Sequence, residues 1–146
     1  MVVMFKHIKL DRLDRLGIEL VSVTSPREKL KTMKRLQDIT LTPDQLEALA
    51  EIQRRLVGEF DVDSVMLYGS VTRGELDEES DIDLLVLTPH PLTRPVRHKI
   101  TDMVFEVNLR YNTNFSTLVV DRISWEEGPI SVLPIRDEIL KDGVAL

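Results

Sequence analysis

Leu67 to Leu87 reads LYGSVTRGELDEESDIDLLVL, a short apolar strand, a Gly-Ser loop, and a second strand headed by Asp81-Ile82-Asp83. Aspartate is a poor strand residue, and two on one face repel each other. Alternation along a strand sends Asp81 and Asp83 to the same face while Ile82 and Leu84 point to the other. A divalent cation between the two carboxylates would offset the repulsion. Oxygen-only ligands of this kind suit Mg²⁺ or Mn²⁺, which take one or two carboxylates together with waters and substrate phosphates. Gly69 has no side chain, so a phosphate can come close to its backbone, and Ser70 offers a hydroxyl and an N–H. A phosphate cradle and a metal-binding pair on adjacent strands together make a candidate nucleoside triphosphate site.

The flanking sequence supplies the frame. Ser64–Tyr68 reads as the strand entering the loop, and Asp81–Leu87 as a central strand because its tail is wholly apolar. Upstream, Thr42 is an N-cap, Pro43 suits the first helical position and Gln45 completes a capping box. Leu46, Leu49, Ala50, Ile52, Leu56 and Val57 recur at helical spacing, which predicts a buried face, and Gly58 marks the end. Downstream, Val96, Ile100, Met103, Val104 and Val107 form a second helical stripe, followed by a strand at Phe115–Val120 with room to run on to Ser124. Pro134 opens a last short helix through Ile139 and Leu140, stopped by Gly143. This order predicts an α+β fold, a small mixed β-sheet flanked by helices. Residues 1–40 form an extension, with strand-like alternation at Ile18–Ser25 and a helix opened by Ser25 and Pro26, and residues 41–146 form the main domain.

Composition narrows the classes. With no cysteine in 146 residues there is no disulfide framework, thiolate metal site or cysteine nucleophile. That absence fits a reducing compartment. The N-terminus does not resemble a signal peptide, and no apolar run approaches the ~20 residues of a membrane span. The expectation is a soluble cytoplasmic protein with no membrane association. A net charge of −6 argues against nucleic acid as a partner. The charge is uneven: residues 1–40 carry net +4 and the remainder −10, which suits either a docking arm or two solvated faces.

Gly69-Ser70, ten intervening residues, then Asp81-Ile82-Asp83 before Leu-Leu-Val-Leu is the combination by which the chain resembles the minimal nucleotidyltransferase branch of the DNA polymerase beta-like superfamily. Gly69, Ser70, Arg73, Gly74 and Glu75 are similar to that family's Gly-Ser-x-x-Arg-Gly-Glu loop, and the closing ILKDGVAL to its C-terminus. The resemblance covers Leu41 to Leu146. It implies the polymerase beta-like nucleotidyltransferase fold and transfer of NMP from ATP or another NTP to an acceptor hydroxyl. Asp81 and Asp83 would be the catalytic metal ligands, and Gly69 and Ser70 would hold the triphosphate. Two ions would clamp the attacking and leaving oxygens. Arg73 would either contact phosphate or prop the loop through Glu75 or Asp77.

Family members acting on small molecules generally carry a further helical domain, for which 146 residues leave no room. The resemblance therefore points to a protein acceptor, as in two-gene toxin–antitoxin systems that pair a minimal nucleotidyltransferase with a small helical HEPN-type protein. A second copy of the chain is a further candidate partner. One departure stands out. Active relatives place a third carboxylate on a later strand, yet NFSTLVVDRISW has no acid in its middle. Asp121, near its end, is the nearest candidate, and Asp102 and Glu106 sit in the preceding helix. Without a third carboxylate the chain reads alternatively as a catalytically degenerate nucleotide-binding regulatory or interaction module. A DNA-binding regulator acting through the basic arm rests on charge asymmetry alone. His7, His90 and His98 lack metal-ligand spacing, Glu75–Ser80 reads as a solvated acidic loop, and Trp125 reads as sheet packing.

Overall fold

The computed structural model describes residues 34–77 and 79–146. The expected strand at Ile18–Ser25, most of the helix opened by Ser25, and His7 lie outside the described residues. Where that helix would end, Leu36–Asp38 form a single 3₁₀ turn.

Four strands, β1 (Ser64–Tyr68), β2 (Ile82–Thr88), β3 (Phe115–Asp121) and β4 (Val144–Ala145), make one mixed sheet in the order β3-β2-β1-β4. β1 and β2 are antiparallel, joined through the Gly-Ser loop, with Tyr68 opposite Asp83. β2 and β3 are parallel, as a connection through a helix requires, with Asp83 opposite Ser116 and Thr88 opposite Asp121. The sequence does not announce β4. Its two residues pair antiparallel to Met66 and Leu67, and Val144 is fully buried. The expected α+β architecture with one small sheet is the one observed.

Among the described residues, the α-helices are α1 (Pro43–Glu59), α2 (Arg94–Tyr111), α3 (Arg122–Glu126) and α4 (Pro134–Asp142). The capping box of α1 forms as the sequence predicts: the Gln45 N–H donates to Thr42 Oγ1 at 3.2 Å, and the Thr42 N–H donates to Gln45 Oε1 at 2.9 Å. α2 buries Ile100, Met103, Val104 and Val107, four of its five stripe residues. The stripe of α1 is rotated from expectation. Ala48, Leu49, Glu51, Ile52 and Leu56 are buried, whereas Leu46, Ala50 and Val57 are exposed.

Glu51 explains the rotation. Its carboxylate accepts hydrogen bonds from Tyr111 Oη at 2.8 Å and from Arg110, both at the end of α2. The Tyr111 bond, together with Arg110, holds the Glu51 carboxyl below its usual range, against the opposing effect of burial. A charged residue turned inward is tolerated because it is paired, and α1 turns to present it. The third strand ends earlier than the limit the sequence allowed: Arg122 begins α3 instead of extending β3 toward Ser124.

Leu56 and Val57 are neighbours in sequence but differ in burial, 0% against 61% exposed. Leu56→Ala should cost about 2–5 kcal/mol in urea denaturation and Val57→Ala less than about 0.5 kcal/mol. Similar costs for the two would place the buried stripe where the sequence pattern alone puts it.

Candidate functional site

β1 runs into Gly69, whose φ of +82° is a conformation that side-chain-bearing residues rarely adopt. Ser70–Arg73 then make a 3₁₀ turn, closed by Gly74 in the left-handed region at φ +71°. The turn is pinned from within. Val71 and Thr72 are buried, and Thr72 Oγ1 donates to the Gly69 carbonyl at 2.7 Å. Lys34 Nζ donates to the Thr72 carbonyl.

Gly69 also lies in close contact with Asp83. A Cβ at Gly69 would stand 2.7 Å from Asp83 Oδ2. Loop and carboxylate are thus packed directly together, although thirteen residues lie between Gly69 and Asp83. Asp81 sits one residue before β2 and is exposed, while Asp83 is half-buried in the strand. The structure thus gathers Gly69, Ser70, Asp81 and Asp83 at one end of the sheet. Tyr68, paired with Asp83 across β1 and β2, lies at the same end. Burial, with the Asp83 carboxylate adding to it, pushes the Tyr68 hydroxyl up to about 12.

Arg73 follows the loop-propping alternative: its Nε donates to Glu75 Oε2 at 3.1 Å, a partly exposed pair.

The strand beside β2 carries groups that a search for acids passes over. Ser116 Oγ donates to Asp83 Oδ1 at 2.7 Å, and Asn114 Nδ2 donates to Asp81 Oδ1. Asn114-Phe115-Ser116 repeats the polar–apolar–polar order of Asp81-Ile82-Asp83, and the parallel register sets the two triplets side by side. That repetition is the sequence signal that could have found them.

Asp121 is elsewhere. It pairs with Thr88, five residues along β3 from Ser116, or about 17 Å at strand rise. It is buried, and its carboxylate caps α3 by accepting from the Ser124 N–H at 2.9 Å and Ser124 Oγ at 2.8 Å. Those two bonds hold its carboxyl below the usual range. Glu106 is occupied with Arg55 of α1 at 3.0 Å. Among the described residues, no group of three or more His, Cys, Asp or Glu side chains comes together. Asp102 and Glu106 instead line an open groove between α1 and α2, of about 440 Å³, with Arg55, Lys99 and Met103. His90 and His98 are exposed, and Trp125 is buried with the Arg136 guanidinium 5.6 Å from its ring centroid, a packing role.

A family model described as nucleotidyltransferase domain matches residues 46–146. The chain belongs to this family. Two proteins of Methanocaldococcus jannaschii, each named "putative protein adenylyltransferase", are similar to parts of the chain. One is 43% identical over 63 residues, which is 42% of this chain and 43% of that protein. The other is 36% identical over 58 residues, 40% of this chain and 59% of that protein. The matches therefore span about half the length of these relatives. Among solved structures, a crystal structure of a toxin-antitoxin with AMP-PNP is similar at 15% identity and TM-score 0.48, covering 71% of this chain and 72% of that one. A "putative nucleotidyltransferase from Sulfolobus solfataricus" is similar at 23% identity and TM-score 0.43, covering 68% and 77%. No described helix is long and apolar enough to cross a membrane.

Two predictions follow from this geometry. Gly69→Ala drives a methyl into Asp83 Oδ2 and should destabilise the protein, and the loss should shrink when Asp83 is also Ala. Additive losses in the double-mutant cycle would show that the two residues do not touch. Asp121→Ala should cost about 1 kcal/mol as a lost helix cap. Because the native Asp121 carboxyl titrates low, that difference should be full above the ordinary carboxylate pKa of ~3.9 and shrink as pH falls through the depressed native value. A deficit that stays constant with pH would contradict this role.

Proposed function

We propose that the chain is a nucleotidyltransferase that moves NMP, with ATP as the expected donor, onto a hydroxyl of a protein acceptor. The observation that carries this reading is the direct packing of Asp83 Oδ2 against Gly69, in a chain of the nucleotidyltransferase domain family. The donor set fits a hard divalent cation: two carboxylates at a solvent-facing strand end, with a glycine that leaves room beside them. Bound there, Mg²⁺ or Mn²⁺ would neutralise the phosphate oxygens during an in-line displacement.

Each residue has a role in this reading. Asp81 and Asp83 hold the ion. Gly69 lets the triphosphate approach the backbone, and Ser70 donates its hydroxyl and N–H to phosphate oxygens. The buried Val71 and Thr72 keep the loop from moving, so these donors are positioned before the nucleotide arrives. Arg73 supports the loop through Glu75. The acceptor hydroxyl gives its proton to water as its oxygen bonds to the α-phosphorus, the bond from the α-phosphorus to the α,β-bridging oxygen breaks, and pyrophosphate leaves with that oxygen. The names of the archaeal relatives support AMP as the transferred group and protein as the acceptor. A small helical HEPN-type partner, adenylylated by an antitoxin of this kind, is the acceptor that the sequence resemblance favours, and the cytoplasm is the expected setting.

One observation favours a second reading, a nucleotide-binding module without transfer activity: a neutral serine, not a carboxylate, faces Asp83 from β3. Calorimetric titration of Mg²⁺-ATP tests what the two readings share. Binding should require the metal and weaken ~10–100-fold or more in Asp83→Ala. Metal-independent binding, or none, would contradict both. Incubation with α-³²P-ATP and a candidate acceptor protein separates them: label on the acceptor supports transfer, while tight binding without label supports the module.

A further inference from the structure

We infer that this site holds one divalent cation rather than two, because Ser116 and Asn114 close the β3 side of the carboxylate pair. The inference rests on the reading of Asp81 and Asp83 as ion ligands and concerns how many ions they serve.

The two oxygens of Asp83 face different surroundings. Oδ2 lies against Gly69, on the nucleotide-loop side. Oδ1 accepts the Ser116 hydroxyl at 2.7 Å, on the β3 side. Asp81 Oδ1 likewise accepts from Asn114 Nδ2, and Asn114, one residue before β3, is itself held because the Ile82 N–H donates to its carbonyl at 2.8 Å. An ion approaching from β3 would meet a hydroxyl and an amide already oriented as donors. It would find no third carboxylate among the described residues.

Charge points the same way. Cation affinity at oxygen sites rises with the number of charged ligands and with site rigidity. Two carboxylates and a triphosphate suffice for one ion shared between protein and nucleotide. A second ion, placed on the β3 side, would have to displace both hydrogen bonds while gaining no protein charge. Ser116 is therefore a positioning residue: it fixes Asp83 so that Oδ2 serves the loop side, and its hydroxyl occupies the Oδ1 acceptor that a second ion would need.

Counting Mn²⁺ by electron paramagnetic resonance tests this, with the full chain saturated by a non-hydrolysable ATP analogue. One tightly bound Mn²⁺ per protein–nucleotide complex is expected, with no dipolar coupling between ions. Ser116→Asp should add a second, dipolar-coupled Mn²⁺, bound at least tenfold more tightly than any second ion in the unmodified chain. Two coupled ions in the unmodified chain would overturn the inference, and a folded Ser116→Asp that still binds one would show that Ser116 does not set the number. The unmodified count stands even if the variant does not fold. Failure of any metal-dependent nucleotide binding would instead overturn the proposed function, so the two are distinguishable.

Discussion

The site depends on the parallel register between β2 and β3 and on the contact of Asp83 with Gly69. Side chains alternate along a strand, so a slip of one residue would turn Asp83 into the core and expose Leu84, which is now fully buried. The apolar run Leu84–Leu87, buried on both faces, holds β2 in the middle of the sheet. The carboxylates are therefore held in place by the hydrophobic residues that follow them. Gly69 supplies the other half of the constraint, since no other residue can adopt its backbone angle and also leave space for Asp83 Oδ2.

From that contact the local chemistry follows. Asp83 is half-buried, beside a tyrosine whose hydroxyl is pushed up to about 12, and it retains a hydrogen bond from Ser116. Partial burial of an ionised carboxylate is unfavourable unless something is bound to it. In the structure the serine meets part of that need, and in the proposed function the cation meets the rest. Asp121 shows the contrasting solution at the other end of the sheet, where a buried aspartate is satisfied by Ser124 and serves the start of α3.

Much of this was legible in the sequence where one physical rule dominates. Ser64–Tyr68 is recovered residue for residue, and the capping box at Thr42 and Gln45 forms as its spacing requires. The pairing of the Gly-Ser loop with the two aspartates was legible too, because the loop is too short to take them far apart. Three features were not. β4 is two residues long and exists through its pairing with β1, which no local pattern encodes. The rotation of α1 follows from Glu51 meeting Tyr111 and Arg110, sixty residues away. The role of Ser116 and Asn114 depends on register between strands distant in sequence, and a search for a third acid looks past neutral donors.

The central claim is that the nucleotide and its ion sit at the Gly69–Asp83 end of the sheet. Paramagnetic broadening of backbone amide signals by Mn²⁺ with a non-hydrolysable ATP analogue measures this most directly. Broadening is expected to be strongest for Tyr68–Val71, Asp81–Leu84 and Asn114–Thr117, and distinctly weaker for Thr88, Asp121 and Ser124. Broadening centred on Asp121, or in the groove between α1 and α2, would contradict the account.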